Sequence, residues 1–418
     1  MPAAALTDLA DLGLDEGGHL LIARALARLA PGERLAVYGR HQALRVHLAA
    51  WCREHGHQLA DAGAADGSLP SADGERAGGP WPGNAAPALV VVKGSAEERR
   101  WLGAVRAGDA GGAPEARADQ AWGLAARGAL VEAGGPPIGA QWSQREHVWA
   151  DITPRLYAAA AASQWDPATA VDWAAPLSAV PEAVERAVVQ IMTYLVENEQ
   201  AALIIPARLL SQLHPHYREV MQLLATQAAD EARHVEVFTR RALLSGGPLG
   251  TSSAGGRASL QTLLAEPDFT TASFLLSVLG EGTFLDLLRF IHDHAPDQVT
   301  ADVTRLAVRD EARHVAFGVA HTAHLATSDK SYLGTLRKSV ERRHATLLDT
   351  AGLNAEVFDS LVLLAAGSWS PEAIRRGWQQ VRDLQERMDE GRRRRLAFIG
   401  FPDHEAAELS ALHTRNFM

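Results

Sequence analysis

The 418-residue sequence has one cysteine, no long apolar run and no surplus of positive charge, and each shortage excludes a class of protein. The single cysteine, Cys52, can form neither an intramolecular disulfide nor a thiolate metal cluster, which indicates a reducing compartment such as the cytoplasm. No apolar stretch approaches the roughly 18 residues of a membrane span, so none is expected. The net charge of −10 argues against nucleic acid as the main partner, because it implies no broad basic surface.

Two local features agree with this interpretation. The N-terminal sequence is acidic and lacks the charged-then-apolar order of a secretion signal, which again favours a cytoplasmic protein. The basic run Arg392–Arg395 is short and lies in a helical pattern. We interpret it as a solvated helix face or a salt-bridging end.

Three zones of the chain differ in composition. Residues 1–95 alternate strand and helix patterns and are predicted to form a small α+β domain, whereas residues 96–150, rich in Gly and Ala, are predicted to be a linker. The remainder is almost wholly helical and predicts a large all-α domain. We assign residues 151–330 to a four-helix bundle and residues 331–418 to a helical extension that buttresses the bundle or forms a homodimer surface.

The most informative feature is an internal repeat in the helical region. The sequence Asp-Glu-Ala-Arg-His-Val occurs at Asp230–Val235 and again at Asp310–Val315. Each copy contains Glu-x-x-His, and residues i and i+3 share one face of a helix, so that each Glu and His can bind an ion together. The two pairs are Glu231 with His234 and Glu311 with His314.

A bundle with two metal ions also needs one carboxylate from each of the two other helices. The third helix carries Glu281 inside an apolar stripe that includes Val278 and Leu285. The first helix offers Glu197 and Glu199, and only Glu199 lies within an apolar stripe. Burying an unpaired carboxylate is costly, so a carboxylate in such a stripe needs a partner. We therefore predict Glu199, with Glu197 as the alternative.

The predicted ligands are four carboxylates and two imidazoles, and the four carboxylates are also the predicted catalytic residues. Such a hard, oxygen-rich set favours iron or manganese over zinc. We predict two iron ions, with manganese or a mixed Mn/Fe pair as alternatives. The complete set is Glu199, Glu231, His234, Glu281, Glu311 and His314.

The aspartates that open the motifs, Asp230 and Asp310, are predicted to contact the histidines. A ligating histidine usually gives its other N–H to a carboxylate, which fixes its tautomer. Arg233 and Arg313 are interpreted either as partners of these aspartates or as ordinary surface charges. The symmetry of a bundle predicts Asp310 with His234 and Asp230 with His314.

The two motifs, each with its preceding Asp, resemble the ferritin-like diiron-carboxylate superfamily. The resemblance covers about residues 150–325 and is to ribonucleotide reductase small subunits, bacterial multicomponent monooxygenases and aminobenzoate-type N-oxygenases. It implies a diiron site that activates dioxygen. Phe238 stands where the radical-bearing reductases have Tyr, which favours oxygenase chemistry. Gly318, at the equivalent place, indicates either room for a substrate or close helix packing. His321 is either a third histidine ligand, as in the N-oxygenases, or a hydrogen-bonded core histidine.

The N-terminal zone has a resemblance of its own. Its framework residues are Gly13, Leu14, Leu20, Leu21, Ala25, Leu26, Leu29, Gly32, Glu33, Gly56 and His57. In spacing they resemble the TusA-like sulfur-carrier fold, which carries Cys-Pro where this chain has Glu16 and Gly17. The persulfide nucleophile is therefore missing, and Cys52 is interpreted as a packing residue. Strands are predicted at Leu35–Tyr38 and Ala88–Val92.

Two functions fit these features. The first is a diiron oxygenase that uses dioxygen as co-substrate and hydroxylates or N-oxidises a small organic molecule. It would take electrons from an external donor, because the sequence has no flavin, nicotinamide or iron–sulfur motif. The second is a ferritin- or rubrerythrin-type protein that handles iron or scavenges peroxide. The additional N-terminal and C-terminal regions and Gly318 favour the first.

Overall fold

The computed structural model is mostly helical, with a small strand-containing region near the N-terminus. This confirms the predicted change from mixed to helical structure along the chain. The described residues are 5–60, 89–177, 180–348 and 355–414. The chain divides into two compact units, Met1–Arg106 with Leu130–Gly135 and Ala107–Ala129 with Pro136–Met418.

Within the described residues, the first unit contains a four-stranded sheet, three α-helices and a short π-helical turn, Leu14–Gly18. The strands are β1 Ala5–Asp8, β2 Arg34–Tyr38, β3 Gln58–Ala60 and β4 Leu89–Val92, and the helices are α1 His19–Leu26, α2 Leu44–Glu54 and α3 Ala96–Arg100. The strand order is β1-β2-β4-β3, with β1 parallel to β2 and β4 antiparallel to both neighbours. Ile22, Leu35, Leu48 and Cys52 are packed in its core.

These strands agree only in part with the sequence-based expectation. The predicted strands correspond to β2 and β4, and Ala88 lies outside the described residues. The short edge strands β1 and β3 were not predicted. Cys52 is buried, and its burial raises the pKa of the thiol to about 11, which suits a packing residue. The resemblance to the TusA-like fold stays a prediction.

The segment predicted as a linker, residues 96–150, is shared between the units. It supplies a two-stranded antiparallel ribbon to the first unit, formed by β5 Val105–Arg106 and β6 Leu130–Val131. Another part packs on the helices of the second unit, where the Arg127 guanidinium donates a 3.0 Å hydrogen bond to the Glu219 carboxylate. This part of the segment is therefore fixed to the helical unit.

The second unit is built of helices. They are α4 Thr153–Ala162, α5 Glu182–Gln212, α6 Arg218–Leu243, α7 Ala254–Leu264, α8 Phe269–Ser273, a π-helical segment Phe274–Glu281, α9 Gly282–Asp293, α10 Gln298–Ser328, α11 Tyr332–Leu347, α12 Ala355–Ala366, α13 Pro371–Ile399 and α14 Asp403–Thr414. Helix α5 packs along α6, and α10 packs against α6, α9 and the π-helical segment. These elements form the bundle that holds the candidate site.

The bundle core and its C-terminal cover follow from helical periodicity. Val188, Ile191 and Leu195 face inward from α5 and are fully buried or nearly so. Helix α12 packs on α5, and α13 packs on α9 and α10, so the extension covers two sides of the bundle. A homodimer surface there stays a prediction. None of the described helices combines the length and apolarity that crossing a bilayer requires.

The basic run of α13 corrects one expectation. Arg393 and Arg394 are exposed, but Arg392 is only 1% exposed and Arg395 is half-buried. The interpretation as a solvated face is therefore wrong for two of the four residues. The reason is that α13 packs against α9, which turns one side of the run toward the protein interior.

Candidate metal centre

The two repeated motifs lie on neighbouring helices, α6 and α10, and face each other. Glu231 and His234 of α6 and Glu311 and His314 of α10 are all at most 2% exposed. The i, i+3 spacing places the Glu and the His of each motif on the inner face of its helix. The cluster predicted from the repeat is thus present as a set of converging side chains.

Helix α5 supplies Glu199, which is 3% exposed, to the same cluster. One Glu199 carboxylate oxygen lies 3.6 Å from His234 Nδ1. The alternative, Glu197, is half-buried and belongs to neither potential metal-binding group found among the described residues. The geometry therefore supports the choice of Glu199, in agreement with the apolar stripe around it.

Glu281 comes from the π-helical segment and is also buried. A π-turn inserts an additional residue into a helix and is frequent at functional sites. The Gln227 amide donates a 3.0 Å hydrogen bond to one Glu281 oxygen, while the other oxygen has no hydrogen-bond partner among the described residues. Gln227 was missed in the sequence, although a polar residue one turn before Glu231, on the inner face of α6, could have indicated it.

The side chains form two overlapping groups that could each hold a metal ion. Within each group the potential ligand atoms lie within 4.8 Å of one another. The two motif glutamates, Glu231 and Glu311, belong to both groups, so each could help to hold either ion. The groups are Glu199, Glu231, His234 and Glu311, and Glu231, Glu281, Glu311 and His314.

Several polar atoms at the centre of the cluster are arranged as metal ligands would be, and not as hydrogen-bond partners of one another. Four of them are buried without a hydrogen-bond partner in the described part of the chain: Glu231 Oε1, Glu281 Oε2, Glu311 Oε2 and His314 Nδ1. His314 Nδ1 lies 3.0 Å from Glu231 Oε1, yet the pair lacks the angles of a hydrogen bond. Buried polar atoms that converge without sharing a proton are what a cation site requires.

The electrostatics of the cluster show how closely the carboxylates are held together. Burial and the charges of Glu231 and Glu311 raise the pKa of Glu199 well above its usual range. Burial and Glu311 likewise raise the pKa of Glu281. Burial alone would raise the pKa of Glu231, but His314 and His234 hold it below its usual range. Cations placed among these groups would relieve the repulsion.

The outer nitrogens of the two histidines contact the aspartates of the opposite motif. His234 Nε2 lies 3.3 Å from an Asp310 oxygen, and His314 Nε2 lies 3.1 Å from an Asp230 oxygen. Each histidine consequently directs Nδ1 toward the glutamates. Burial alone would lower the pKa of His234, but Asp310 and the surrounding glutamates raise it well above its usual range.

The two aspartates are tied together by the motif arginines. Arg233 contacts Asp230 of its own helix and Asp310 of the other, and Arg313 contacts the same two aspartates. The arginines are therefore partners of the aspartates and not free surface charges.

Two further side chains donate hydrogen bonds to the same aspartates and were not predicted in this role. Trp165 Nε1–H donates a 2.7 Å bond to Asp310, and Gln164 Nε2 donates a 3.2 Å bond to Asp230.

The contacts of three further residues, Phe238, Gly318 and His321, show how each of them is packed. Phe238 is fully buried, with its ring centre 6.1 Å from that of His234. A Cβ on Gly318 would lie 2.5 Å from Ser277 Cβ, so this glycine allows close helix packing and does not open room for a substrate. His321 is buried with its ring nitrogens 2.9 Å from the Trp149 carbonyl and 2.8 Å from a threonine hydroxyl. It is a hydrogen-bonded core histidine.

Comparison with known proteins gives only a distant likeness. No family model and no curated protein matches the chain. Among solved structures, an R2-like ligand-binding oxidase with an aerobically reconstituted metal cofactor is 16% identical, at a TM-score of 0.43. A Tyr-to-Phe variant with a Mn/Fe cofactor, also described as an R2-like ligand-binding oxidase, is 17% identical, at a TM-score of 0.44. Each comparison covers 64% of this chain and 94% of the other.

Proposed function

We propose that the chain is a dimetal oxidoreductase that activates dioxygen and hydroxylates or N-oxidises a small organic substrate. The observation that carries the proposal is the pair of overlapping buried groups, in which two glutamates are shared and four central atoms lack hydrogen-bond partners among the described residues. A Glu from each of two helices, together with a Glu-x-x-His pair from each of two others, is the ligand set of the di-iron and di-manganese carboxylate proteins built in helix bundles.

The residues divide naturally between two ions. Glu199 and His234 would hold one ion, and Glu281 and His314 would hold the other. Glu231 and Glu311 would lie between them. We propose iron, with manganese or a Mn/Fe pair as the alternative, because the donors are hard oxygen and imidazole atoms. When bound, such ions would supply redox chemistry toward dioxygen, with the electrons replaced by an external donor.

Charge balance supports two divalent cations. The four glutamates are at most 5% exposed, and burying ionised carboxylates without partners is strongly unfavourable. Their four negative charges match the charge of two divalent ions. The histidines would then be neutral ligands through Nδ1, with the Nε2 protons held by Asp310 and Asp230.

A small pocket of about 30 Å³ lies beside the cluster, which is room for one small group and not for a whole substrate. Its floor includes the carboxylates of Glu199, Glu281 and Glu311, and its walls are mainly apolar. Apolar walls exclude water and leave a few polar groups to fix the orientation of a bound molecule. The wall residues include Ala201, Ala202, Leu260, Leu263, Leu276 and Phe284. A pocket of this size and lining would admit a diatomic molecule or one apolar group beside the carboxylates.

The electrons would come from an external donor. A continuous series of contacts leads inward from the half-buried indole of Trp165. Its N–H donates to Asp310, and Asp310 contacts His234 on the edge of the cluster. We propose that this series of contacts would connect an external donor at the surface with the residues that hold the ions.

Metal analysis combined with oxygen consumption tests the function. The full-length chain is reconstituted with Fe(II) without oxygen, and bound iron is measured before oxygen and a reductant are added. We expect about two ions per chain and oxygen consumption that increases with apolar amines or hydrocarbons and gives an oxidised product. A chain that binds no iron or manganese would contradict the proposal. Rapid iron oxidation without any organic product would favour the iron-handling function.

The choice of ligand on α5 can be tested separately. Glu199→Ala should lose one of the two ions, because it removes a buried carboxylate of the first group. Glu197→Ala is the matched control two residues away and should retain both ions, since Glu197 is half-buried and outside the groups. The measurement is iron per chain after reconstitution. Loss of metal only in the Glu197 variant would reverse the assignment.

A further inference from the structure

The π-helical segment leaves one backbone carbonyl without its usual donor. In an α-helix the Gly282 N–H would donate to the carbonyl four residues earlier, that of Val278. Here it donates to Ser277, five residues earlier, as in a π-turn. The Val278 carbonyl therefore accepts no hydrogen bond from the Gly282 N–H, at the junction between the π-helical segment and α9. Buried carbonyls require a hydrogen bond, so another donor is needed there.

That donor comes from α13. Arg395 Nε–H donates a 2.8 Å hydrogen bond to the Val278 carbonyl. A second arginine supports the adjacent turn less directly. Thr283 Oγ1–H donates a 2.6 Å bond to the Leu279 carbonyl and lies 3.3 Å from the Arg392 Nη1 donor. Arg395 thus contacts the turn that ends in Glu281 directly, whereas Arg392 contacts it only through Thr283 at the start of α9.

Two glycines, Gly282 and Gly391, leave room for the Arg395 guanidinium between α9 and α13. A Cβ on Gly282 would lie 2.5 Å from Arg395 Nε, and a Cβ on Gly391 would lie 3.2 Å from its Nη1. Burial lowers the pKa of Arg395 to about 10, although the charge of the nearby Asp286 carboxylate opposes this shift. Its Nη2 is buried without a hydrogen-bond partner among the described residues. The bond to Val278 is accordingly the hydrogen bond that fixes this guanidinium in the described part of the chain.

We propose that Arg395 is a positioning residue that holds the π-turn and thereby aims Glu281 at the metal centre. If the turn relaxed to α-helix, its last residue, Glu281, would rotate by about 100° relative to the residues before the turn, which is the angle of one residue. The Glu281 carboxylate would then leave the cluster, while the group around Glu199 and His234 would keep its own ligands. This inference rests on the proposed dimetal function.

The test is a Co(II) titration of the metal-free full-length chain, followed by the visible absorption of the bound ions. Arg395→Met should lower the affinity for the second ion about 10- to 100-fold, the usual effect of losing a contact that orients a ligand. Affinity for the first ion should change less than about threefold, and the remaining spectrum should match that of Glu281→Ala. The matched control is Arg394→Met, at an exposed position on the same helix, which should behave like the original chain.

A second variant keeps the test decisive if Arg395→Met folds poorly. Gly282→Ala should have the same selective effect, because its methyl group displaces the guanidinium, although alanine favours helix by about 1 kcal/mol. Added to Arg395→Met, it should have no further effect on cobalt affinity. Equal loss of both ions, or retention of both, would overturn the role of Arg395. An original chain that binds no pair of cobalt ions would overturn the dimetal function instead.

Discussion

Helices α6 and α10 carry the same six-residue motif but differ one and two turns beyond it. Seven residues after the motif glutamate, α6 has Phe238 and α10 has Gly318. Ten residues after it, α6 has Arg241 and α10 has His321. All four positions are buried. The sequence is therefore repeated where both helices contribute equivalent side chains to one cluster, and it diverges where each helix meets different neighbours.

Of the two buried polar side chains, Arg241 and His321, we expect Arg241 to contribute more to stability. It is fully buried, donates to Glu185 and Asp297 at 2.7–2.8 Å, and donates to the Thr300 hydroxyl at 2.7 Å. We expect Arg241→Met to lower the free energy of unfolding by about 3–5 kcal/mol, because it leaves buried Asp297 without its cation. Urea denaturation at neutral pH measures this effect.

The control for that variant is an arginine on the surface of α10. Arg305 pairs with Asp302 at 2.8 Å, but nearly half of its side chain is exposed. Arg305→Met should cost less than about 1 kcal/mol. If the two variants lost similar amounts of unfolding free energy, burial would not be the property that distinguishes Arg241.

His321 is a buried neutral group, in contrast to Arg241. Burial lowers its pKa to about 4, whereas an unfolded chain has a histidine pKa near 6.5. Between these values the unfolded chain binds the proton and the folded chain does not. Stability is therefore complete above about pH 6.5 and falls by about 3 kcal/mol as the pH decreases to about 4.

The measurement is the free energy of unfolding at several pH values for the original chain and for His321→Gln. The difference between them should shrink as the pH falls from about 6.5 to 4, because glutamine does not titrate. A difference that stays constant over this range would show that His321 does not bind a proton on unfolding there.

Gly318 gives the smallest of the three expected effects. Gly318→Ala would place a methyl group 2.5 Å from Ser277 Cβ, so the helix and the π-helical segment would have to move apart. We expect a loss of about 1–3 kcal/mol in unfolding free energy, despite the better helix propensity of alanine. Gly334→Ala on α11 is the control, since its Cβ would meet nothing within 4 Å. It should be neutral or slightly stabilising, and equal losses in both variants would contradict the packing role of Gly318.

The repeat and the apolar stripes were enough to predict the six clustered side chains, because the contacts depend on i, i+3 spacing and on which face of a helix is buried. The choice between Glu197 and Glu199 followed from the same argument. The role of Arg395 could not be predicted, since it contacts a carbonyl 117 residues away and depends on a local change from α- to π-turns. The edge strands β1 and β3 were missed because they are short and, unlike the Leu-Val-Val-Val run of β4, contain no series of β-branched residues.

The crossed contacts of Arg233 and Arg313 with Asp230 and Asp310 also fix the register of two helices. Each aspartate pairs with an arginine of its own helix and with an arginine of the other helix. The four side chains therefore form one ion-pair network that joins α6 to α10. Sliding α6 along α10 by a single residue would shift the pairs by about 1.5 Å and by about 100° of rotation. These four contacts, which lie just outside the candidate metal ligands, are therefore compatible with a single register of α6 against α10. In that register both motif histidines point inward.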